Sequence, residues 1–336
     1  YSAHALIQSG DEPLTRKEAK TRPDWSRWQA AEKVEWDRLW ADGCFEWVRF
    51  DAIGNARVIS SKFVYKQKSA ELNKARLVAR GFLQDLSECG DTWSPVARPE
   101  TVRTLLAWSA AHGRSVVQAD VEGAYTKAPI EGPPVYVAPP SSDYANPGHV
   151  LQLHASLYGL RGSGKAWYNT LRTYLLSQGL RPSRADPCLF CSADKSLIVA
   201  IYVDDLLISS VDRQVADNFI VDMNRHKTNA AWKVKNMGRP SHFLGLEIRW
   251  NRFGVKLTHT KMIERLRARH NVSTAPVHSP MLAHTTLEPH DQADTKPDPH
   301  EYRSITGSIN YMASSGCRPD VAFVAKELSR NLSNPS

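Results

Sequence analysis

Ser196-Leu197-Ile198-Val199-Ala200-Ile201-Tyr202-Val203-Asp204-Asp205-Leu206-Leu207-Ile208 is the stretch that decides how the rest of the chain is read. Two apolar runs flank adjacent aspartates, which is the pattern of a strand, a tight turn bearing both acids and a returning strand. Carboxylates held that close repel and raise each other's pKa unless cations neutralise them, and two divalent metals with oxygen ligands would do so. A metal-binding acidic pair calls for a third carboxylate from elsewhere in the fold. The best candidate is Asp120, at the end of Val116-Val117-Gln118-Ala119.

The chain has 336 residues, enough for two or three subdomains. Its 43 Lys and Arg against 35 Asp and Glu leave a formal charge of +8, which favours an anionic partner such as nucleic acid. Five scattered cysteines, an odd number without a secretory leader, read as reduced thiols of the cytosol or nucleus. No run approaches the ~18 apolar residues of a membrane span, so a soluble chain is expected. A start at Tyr1 and an end at Ser336 without tail character suggest a segment of a larger polypeptide.

Residues 1 to 23 read as polar and irregular. Asp24 then stands where a helix N-cap belongs, before a helix that puts Trp25, Trp28, Trp36 and Leu39 on one face. Residues 46 to 85 read as strands, with Arg57-Val58-Ile59 and Lys62-Phe63-Val64-Tyr65-Lys66 alternating as in a half-solvated sheet. Thr101 to His112 predicts a helix, and Val116 to Val121 and Val135 to Val137 predict strands. After Gly162-Ser163-Gly164 a helix runs to Gln178 with Trp167, Leu171, Tyr174 and Leu175 inward and Gly179 as its stop. Asp212 to Arg225 is a further helix. Asn271 to His300, with Pro276, Pro280, Pro289, Pro297 and Pro299, reads as a linker before helices at Glu301 to Ser314 and Pro319 to Leu332. The fold class is α+β, mixed elements around an antiparallel hairpin.

Seven blocks narrow the function: Lys74 to Phe82, Trp93 to Arg98, Gln118 to Tyr125, Ser156 to Arg161, Tyr202 to Asp205, Phe243 to Ile248 and Tyr302 to Asp320. On these blocks, in this order, the chain resembles the reverse transcriptases of copia-type retrotransposons from about residue 13 onward. The resemblance implies a right-hand polymerase with the Tyr-Val-Asp-Asp hairpin in an antiparallel palm sheet. It divides the chain into an N-terminal extension and helix (1–45), fingers (46–116), palm with the first Asp motif (117–130) and fingers again (131–164). Palm with the Asp pair and primer grip (165–260) and linker with thumb helices (261–336) complete it.

The resemblance implies that Asp120, Asp204 and Asp205 are catalytic and hold two Mg²⁺ ions, with Mn²⁺ as a substitute. Tyr125 looks like the ring that excludes a 2′-hydroxyl, where copia-type enzymes more often carry Phe. The backbone of Gly123 and Ala124 would lie against the triphosphate. Lys62, Lys74, Arg76 and Arg80 are the candidate triphosphate cations, Arg76 first among them, and Gly159 lies in the nucleotide-pocket block. Gly162-Ser163-Gly164-Lys165 departs from the family's Gln-Ala-Pro-Arg and predicts a looser backbone that keeps a charge. Phe243, Leu244 and Gly245 resemble the primer grip. On the helix from Glu301, Arg303, Gly307, Asn310 and Tyr311 share a face opposite Ile305, Ile309 and Met312, and Gly307 suggests close approach by another backbone. In retroviral thumbs a similar Gly and aromatic track the minor groove of the duplex, and that resemblance makes Arg303, Gly307 and Tyr311 candidates for the template–primer.

Cys188-Leu189-Phe190-Cys191 has zinc-knuckle spacing but no second pair nearby, so structural thiols are expected. His278, His284, His290 and His300 read as solvated loop residues. The function implied is primer extension on RNA and then DNA templates with deoxynucleoside triphosphates. A domesticated or decayed nucleic-acid-binding relic is the alternative, and a metal-dependent phosphatase or nuclease leaves the Tyr125 block unexplained. Integrase and RNase H would lie outside this segment, no membrane partner is expected, and dimerisation is left open. The expected location is a cytoplasmic virus-like particle and the nucleus.

Overall fold

The computed structural model describes residues 12–335 except Ala70, Asn229, Cys317 and all of 274–297 other than Ala275, 278–281, Thr285 and Leu287. All structural statements concern the described residues. His284, His290 and much of the expected linker lie outside them.

The strands in chain order are β1 (Phe45–Arg49), β2 (Val58–Ile59), β3 (Ser61–Gln67), β4 (Asn73–Ala79), β5 (Ser115–Val121), β6 (Val135–Val137), β7 (His149–Leu153) and β8 (Arg181–Pro182). There follow β9 (Leu189–Cys191), β10 (Leu197–Tyr202), β11 (Asp205–Ser210), β12 (Val234–Gly238), β13 (His242–Phe243), β14 (Leu246–Asn251) and β15 (Gly254–Thr258). The helices are α1 (Arg16–Thr21), α2 (Trp25–Ala41), α3 (Leu86–Cys89), α4 (Pro99–Ala111), α5 (Ser163–Ser177), α6 (Arg213–Arg225), α7 (Thr260–His270), α8 (Pro299–Ser315) and α9 (Pro319–Arg330). Mixed helix and sheet is the architecture expected from the sequence.

Two compact units divide these elements, and the first holds the described residues up to Ala97 together with Arg114–Arg239. Its six-stranded sheet has the order β12-β5-β11-β10-β9-β8. Strands β10 and β11 pair antiparallel from Leu197↔Ser210 to Tyr202↔Asp205, and β11 pairs antiparallel with β5, Asp205 opposite Asp120. Leu197 to Ile201 and Leu206 to Ile208 are buried without alternation, as central strands covered on both faces must be. Helix α5 buries Trp167, Leu171, Tyr174 and Leu175, the face its period predicts, and α6 packs on β5, β11 and β12. The Asp212 carboxylate accepts from Val215 N at 3.0 Å and caps α6.

A second sheet of the same unit has the order β1-β7-β6-β2, and β3 and β4 form a two-stranded ribbon. Trp28 and Leu39 of α2 are buried in one core with Phe45, Phe63, Leu77 and Leu151, while Trp25 and Trp36 pack at its margin. Ribbon β3–β4 alternates, with Phe63, Tyr65, Ala75, Leu77 and Ala79 buried. Its register, Lys66↔Lys74 and Val64↔Arg76, puts Lys62, Lys66, Lys74 and Arg76 together on the other face.

The second unit comprises Arg98–Gly113 and Pro240–Ser336 as far as these are described. Here β13-β14-β15 form a sheet, α4 packs on β15 and α8, and α8 packs on α9. Arg103 Nη1 donates to the carbonyls of Ser314 and Ser315, both at 2.8 Å, at the C-terminal end of α8. A cation there satisfies carbonyls the helix leaves open.

Several local expectations are corrected. Residues 16–21 are helical, because Thr15 Oγ1 accepts from Glu18 N at 3.2 Å while Glu18 reaches back to Leu14 N at 2.8 Å. Asp24 flanks α2 without capping it; its carboxylate takes Trp28 Nε1 at 2.9 Å and Arg22 Nε at 3.0 Å. Gly162-Ser163-Gly164 is no loose segment but the start of α5, pinned by Ser163 Oγ donating to the Leu157 carbonyl at 2.6 Å. His300 lies in the first turn of α8 rather than in a loop. Helix α7, whose described side chains are nowhere fully buried, has too weak an apolar stripe to be read from its sequence.

Candidate active site

The turn that joins β10 to β11 consists of Val203 and Asp204, with Val203 at φ +57°. Positive φ crowds Cβ against the carbonyl and is costly for a β-branched residue. Two hydrogen bonds hold the turn: Trp167 Nε1 donates to the Val203 carbonyl at 2.7 Å, and Val121 N donates to the Asp204 carbonyl at 2.9 Å. Since Asp205 also faces Asp120 across β11 and β5, all three sequence-derived acids meet at one end of the sheet.

Their charges interact. Burial, and then the Asp204 carboxylate, push Asp205 up to about 6, against a hydrogen bond from Gln118 Nε2 at 3.3 Å. Burial, Asp204 and Glu122 likewise raise Asp120, partly offset by Lys74 and Lys68. Crowded, half-buried carboxylates offer hard oxygen donors and gain from a divalent cation, so the donor set suits Mg²⁺. Among the described residues, no group of three or more His, Cys, Asp or Glu side chains is placed so that it could hold a metal ion.

Beside the acids lies an aromatic and cationic stack. The Tyr125 ring is 5.0 Å from the Tyr158 ring at 60°, and the Arg76 guanidinium stands 4.9 Å from the Tyr158 centroid. Burial and the Asp204 charge raise the Tyr125 phenol, and burial pushes Tyr158 up to about 12, so both rings are neutral at physiological pH. Desolvation and the neighbouring Arg76 charge lower Lys74. The sequence does not single out Tyr158, although it adjoins Gly159, because an aromatic next to a glycine reads equally well as core.

Two glycines owe their identity to the fold. Gly159 has φ +89°, and a Cβ there would lie 2.1 Å from the Ala79 carbonyl oxygen, because Ala79 N donates to Tyr158 O at 2.8 Å. Gly123 has φ +64° and opens the 3-10 turn Ala124–Lys127, in which Ala124 is buried and Tyr125 half-buried. Arg80 and Lys62 are exposed, Lys165 is ion-paired with Asp91 at 2.8 Å, and Arg161 Nε donates to the Gly81 carbonyl at 3.0 Å.

The remaining candidates belong to the second unit. Phe243 is buried, and Leu244 and Gly245, at φ +48° and +75°, form the two-residue turn between β13 and β14. Tyr311 Oη donates to the Leu244 carbonyl, so this candidate for the template–primer also holds the turn. Arg303 Nε donates to the Leu332 carbonyl at 2.9 Å and Asn310 Nδ2 to Ser329 Oγ at 2.8 Å, both in the direction of α9. Gly307 is exposed with nothing within 4 Å of a built Cβ, which removes the expected close approach by a described backbone of this chain. The fully buried residues of α8 are Thr306, Ser308 and Ser315, whereas Ile305, Ile309 and Met312 are half-buried. Elsewhere, burial pushes the Cys188 thiol up to about 12 and raises Cys191.

The family model described as "Reverse transcriptase (RNA-dependent DNA polymerase)" matches residues 46–283. The chain is 32% identical over 290 residues to the retrovirus-related Pol polyprotein from transposon RE1 of Arabidopsis thaliana, covering 83% of this chain and 19% of that protein. It is 29% identical over 354 residues to the corresponding polyprotein from transposon TNT 1-94 of Nicotiana tabacum, covering 99% and 26%. With the transposon Ty1-ER2 Gag-Pol polyprotein of Saccharomyces cerevisiae it shares 27% over 300 residues, covering 83% and 16%. The chain therefore spans between 16% and 26% of the length of these relatives.

Proposed function

The chain belongs to the reverse transcriptase (RNA-dependent DNA polymerase) family, and on that premise we propose that it is the polymerase segment of a copia-type retrotransposon Pol polyprotein. It extends a primer on RNA and DNA templates with deoxynucleoside triphosphates. The observation that carries this reading is the convergence of Asp120, Asp204 and Asp205 at one sheet end, beside Tyr125, Tyr158 and Arg76.

In this reading the six-stranded sheet is the palm, the β3–β4 ribbon belongs to the fingers, and α8 and α9 belong to the thumb. Asp120, Asp204 and Asp205 would hold two Mg²⁺ ions, which when bound neutralise charge at the primer hydroxyl and at the leaving pyrophosphate. Mg²⁺ is commonly held by one or two carboxylates plus substrate phosphates and water, so an open protein ligand set fits substrate-completed binding. Arg76 and Lys74 meet the triphosphate from the basic face of the ribbon, where fixed cations stabilise transferring phosphoryl charge. Tyr125 bars a 2′-hydroxyl with its ring face, and Gly123 and Ala124 allow the backbone close to the phosphates. The Phe243–Gly245 turn holds the primer end. Template–primer affinity is mostly phosphate-driven and falls steeply with salt.

Integrase and RNase H would be other parts of that polyprotein, and this segment would work in a cytoplasmic virus-like particle and in the nucleus. Primer extension on an RNA template with Mg²⁺ tests the reading, with Asp204→Asn and Asp120→Asn as comparisons. Extension by the parent alone is expected. Equal extension by parent and variants would overturn the site, and extension by none would favour the relic that binds without turnover.

A further inference from the structure

Residues 124–127, the turn that carries Tyr125, are fastened by a helix that precedes the family's matched stretch of 46–283. That helix is α2, and Arg38 is its hub. Arg38 Nη1 donates to Thr126 Oγ1 at 3.3 Å and to Asp42 Oδ2 at 3.2 Å. Its Nε and Nη2 both donate to Glu35 Oε2, at 3.1 and 3.0 Å. Glu35 and Asp42 hold the guanidinium above its ordinary pKa although burial alone would lower it.

The far end of the turn meets the same acid. Lys127 is 1% exposed, and its Nζ donates to Asp42 Oδ2 at 2.9 Å. One carboxylate oxygen of Asp42 thus receives a cation from the helix and a cation from the turn. At the near end, Thr126 Oγ1 donates to the Gly123 carbonyl at 2.8 Å, and a Cβ on Gly123 would lie 2.8 Å from Arg38 Nη1. The guanidinium thus stands against Gly123, where a side chain would have to displace it, and φ +64° further favours glycine there. Tyr125 is held between two anchored ends.

We propose that Arg38 and Asp42 are positioning residues for the sugar of the incoming nucleotide: they set where the Tyr125 ring stands and so set discrimination between deoxyribo- and ribonucleoside triphosphates. The inference rests on the polymerase reading above. Its physical basis is that steric exclusion of one hydroxyl depends steeply on ring position. A displacement of about 1 Å in a positioned group changes rates by as much as ~10²-fold.

The test pairs two readouts on Arg38→Gln, Asp42→Asn and the conservative Arg38→Lys, with Lys33→Ala on the exposed side of α2 as the control. Primer extension should show the ratio of kcat/KM for dNTP over rNTP falling about tenfold in Arg38→Gln and Asp42→Asn, mainly through a lower KM for rNTP, with partial recovery in Arg38→Lys. Lys33→Ala should leave the ratio unchanged. A purely structural role would lower both substrates alike, and an unchanged ratio in folded variants overturns the proposal. Hydrogen exchange supplies the second readout: the Thr126 and Ala128 amides, bonded to Gly123 O and Tyr125 O at 2.9 and 3.1 Å, should exchange faster while β10 and β11 keep their protection. Unchanged exchange there overturns the buttress whatever the activity. A parent that extends no primer counts against the polymerase reading alone, and exchange then decides the buttress. Asp42→Asn strands the buried Lys127 and Arg38→Gln the buried Glu35, so Arg38→Lys, which keeps a cation beside Glu35, carries the test if either fails to fold.

Discussion

Trp167, 1% exposed in α5, donates its indole N–H to the carbonyl of Val203 at 2.7 Å, and Val203 is the positive-φ residue of the turn that carries Asp204. A buried donor thus holds a strained turn in place from a different element. Trp167→Phe keeps an aromatic ring, though a smaller one, and removes the donor. It should cost about 1–3 kcal/mol of stability in denaturant titration and lower single-turnover nucleotide addition, with less effect on nucleotide KM. Val203→Gly relieves a positive-φ cost of ~1–2 kcal/mol but frees the turn, so stability should hold or rise while turnover falls. A rise in both for Val203→Gly would show that strain plays no part in placing Asp204.

Gly159 and Gly307 should answer oppositely to alanine. At Gly159 the added Cβ meets backbone oxygen at 2.1 Å and φ is +89°, so Gly159→Ala should lose about 3 kcal/mol or more and disturb Tyr158. At Gly307, inside α8 with open space around it, alanine should raise the stability of the protein without nucleic acid by about 1 kcal/mol. Chemical denaturation measures both. If Gly307→Ala also weakens template–primer binding, the duplex passes over that face of α8; unchanged binding removes Gly307 from the interface.

The acids at the sheet end should work against stability until cations arrive. Asp205, pushed up to about 6, is harder to ionise folded than unfolded. Its contribution is therefore present in full below the unfolded pKa of about 4 and is lost as pH rises through about 6. Asp205→Asn in EDTA should raise the melting temperature at pH 7.5 more than at pH 4.5. Mg²⁺ should raise that of the parent at pH 7.5, and raise it less in Asp120→Asn or Asp205→Asn. Equal Mg²⁺ shifts in all three would sink the assignment of these ligands.

His259, 6% exposed, sits with Nε2 3.1 Å from Ser315 Oγ, and burial lowers its pKa although Glu247 pulls the other way. The folded chain then binds fewer protons than the unfolded chain below about 6.5, so stability is kept above that pH and falls as pH drops through it. Urea titrations of parent and His259→Gln at pH 7.5 and 5.5 should show a larger acid loss in the parent. Parallel losses would assign the effect to other groups.

What the sequence determined by itself is what short-range pattern encodes. An unbroken apolar run on each side of Asp204-Asp205 dictated a central hairpin, and 3.6-residue spacing of Trp167, Leu171, Tyr174 and Leu175 dictated the buried face of α5. Resemblance to a known family singled out the three acids, and strict alternation gave the basic face of β3–β4. The tertiary structure decided which groups meet. Trp167 bonds to Val203 across 36 positions of sequence and Arg38 to Thr126 across 88, and no periodicity carries that information. It also turned Tyr311 toward Leu244 and left Gly307 open, because a helical wheel gives the direction of a face but not what lies opposite it. Local pattern is set by solvent against core, whereas a site is set by long-range packing that brings distant donors to one turn.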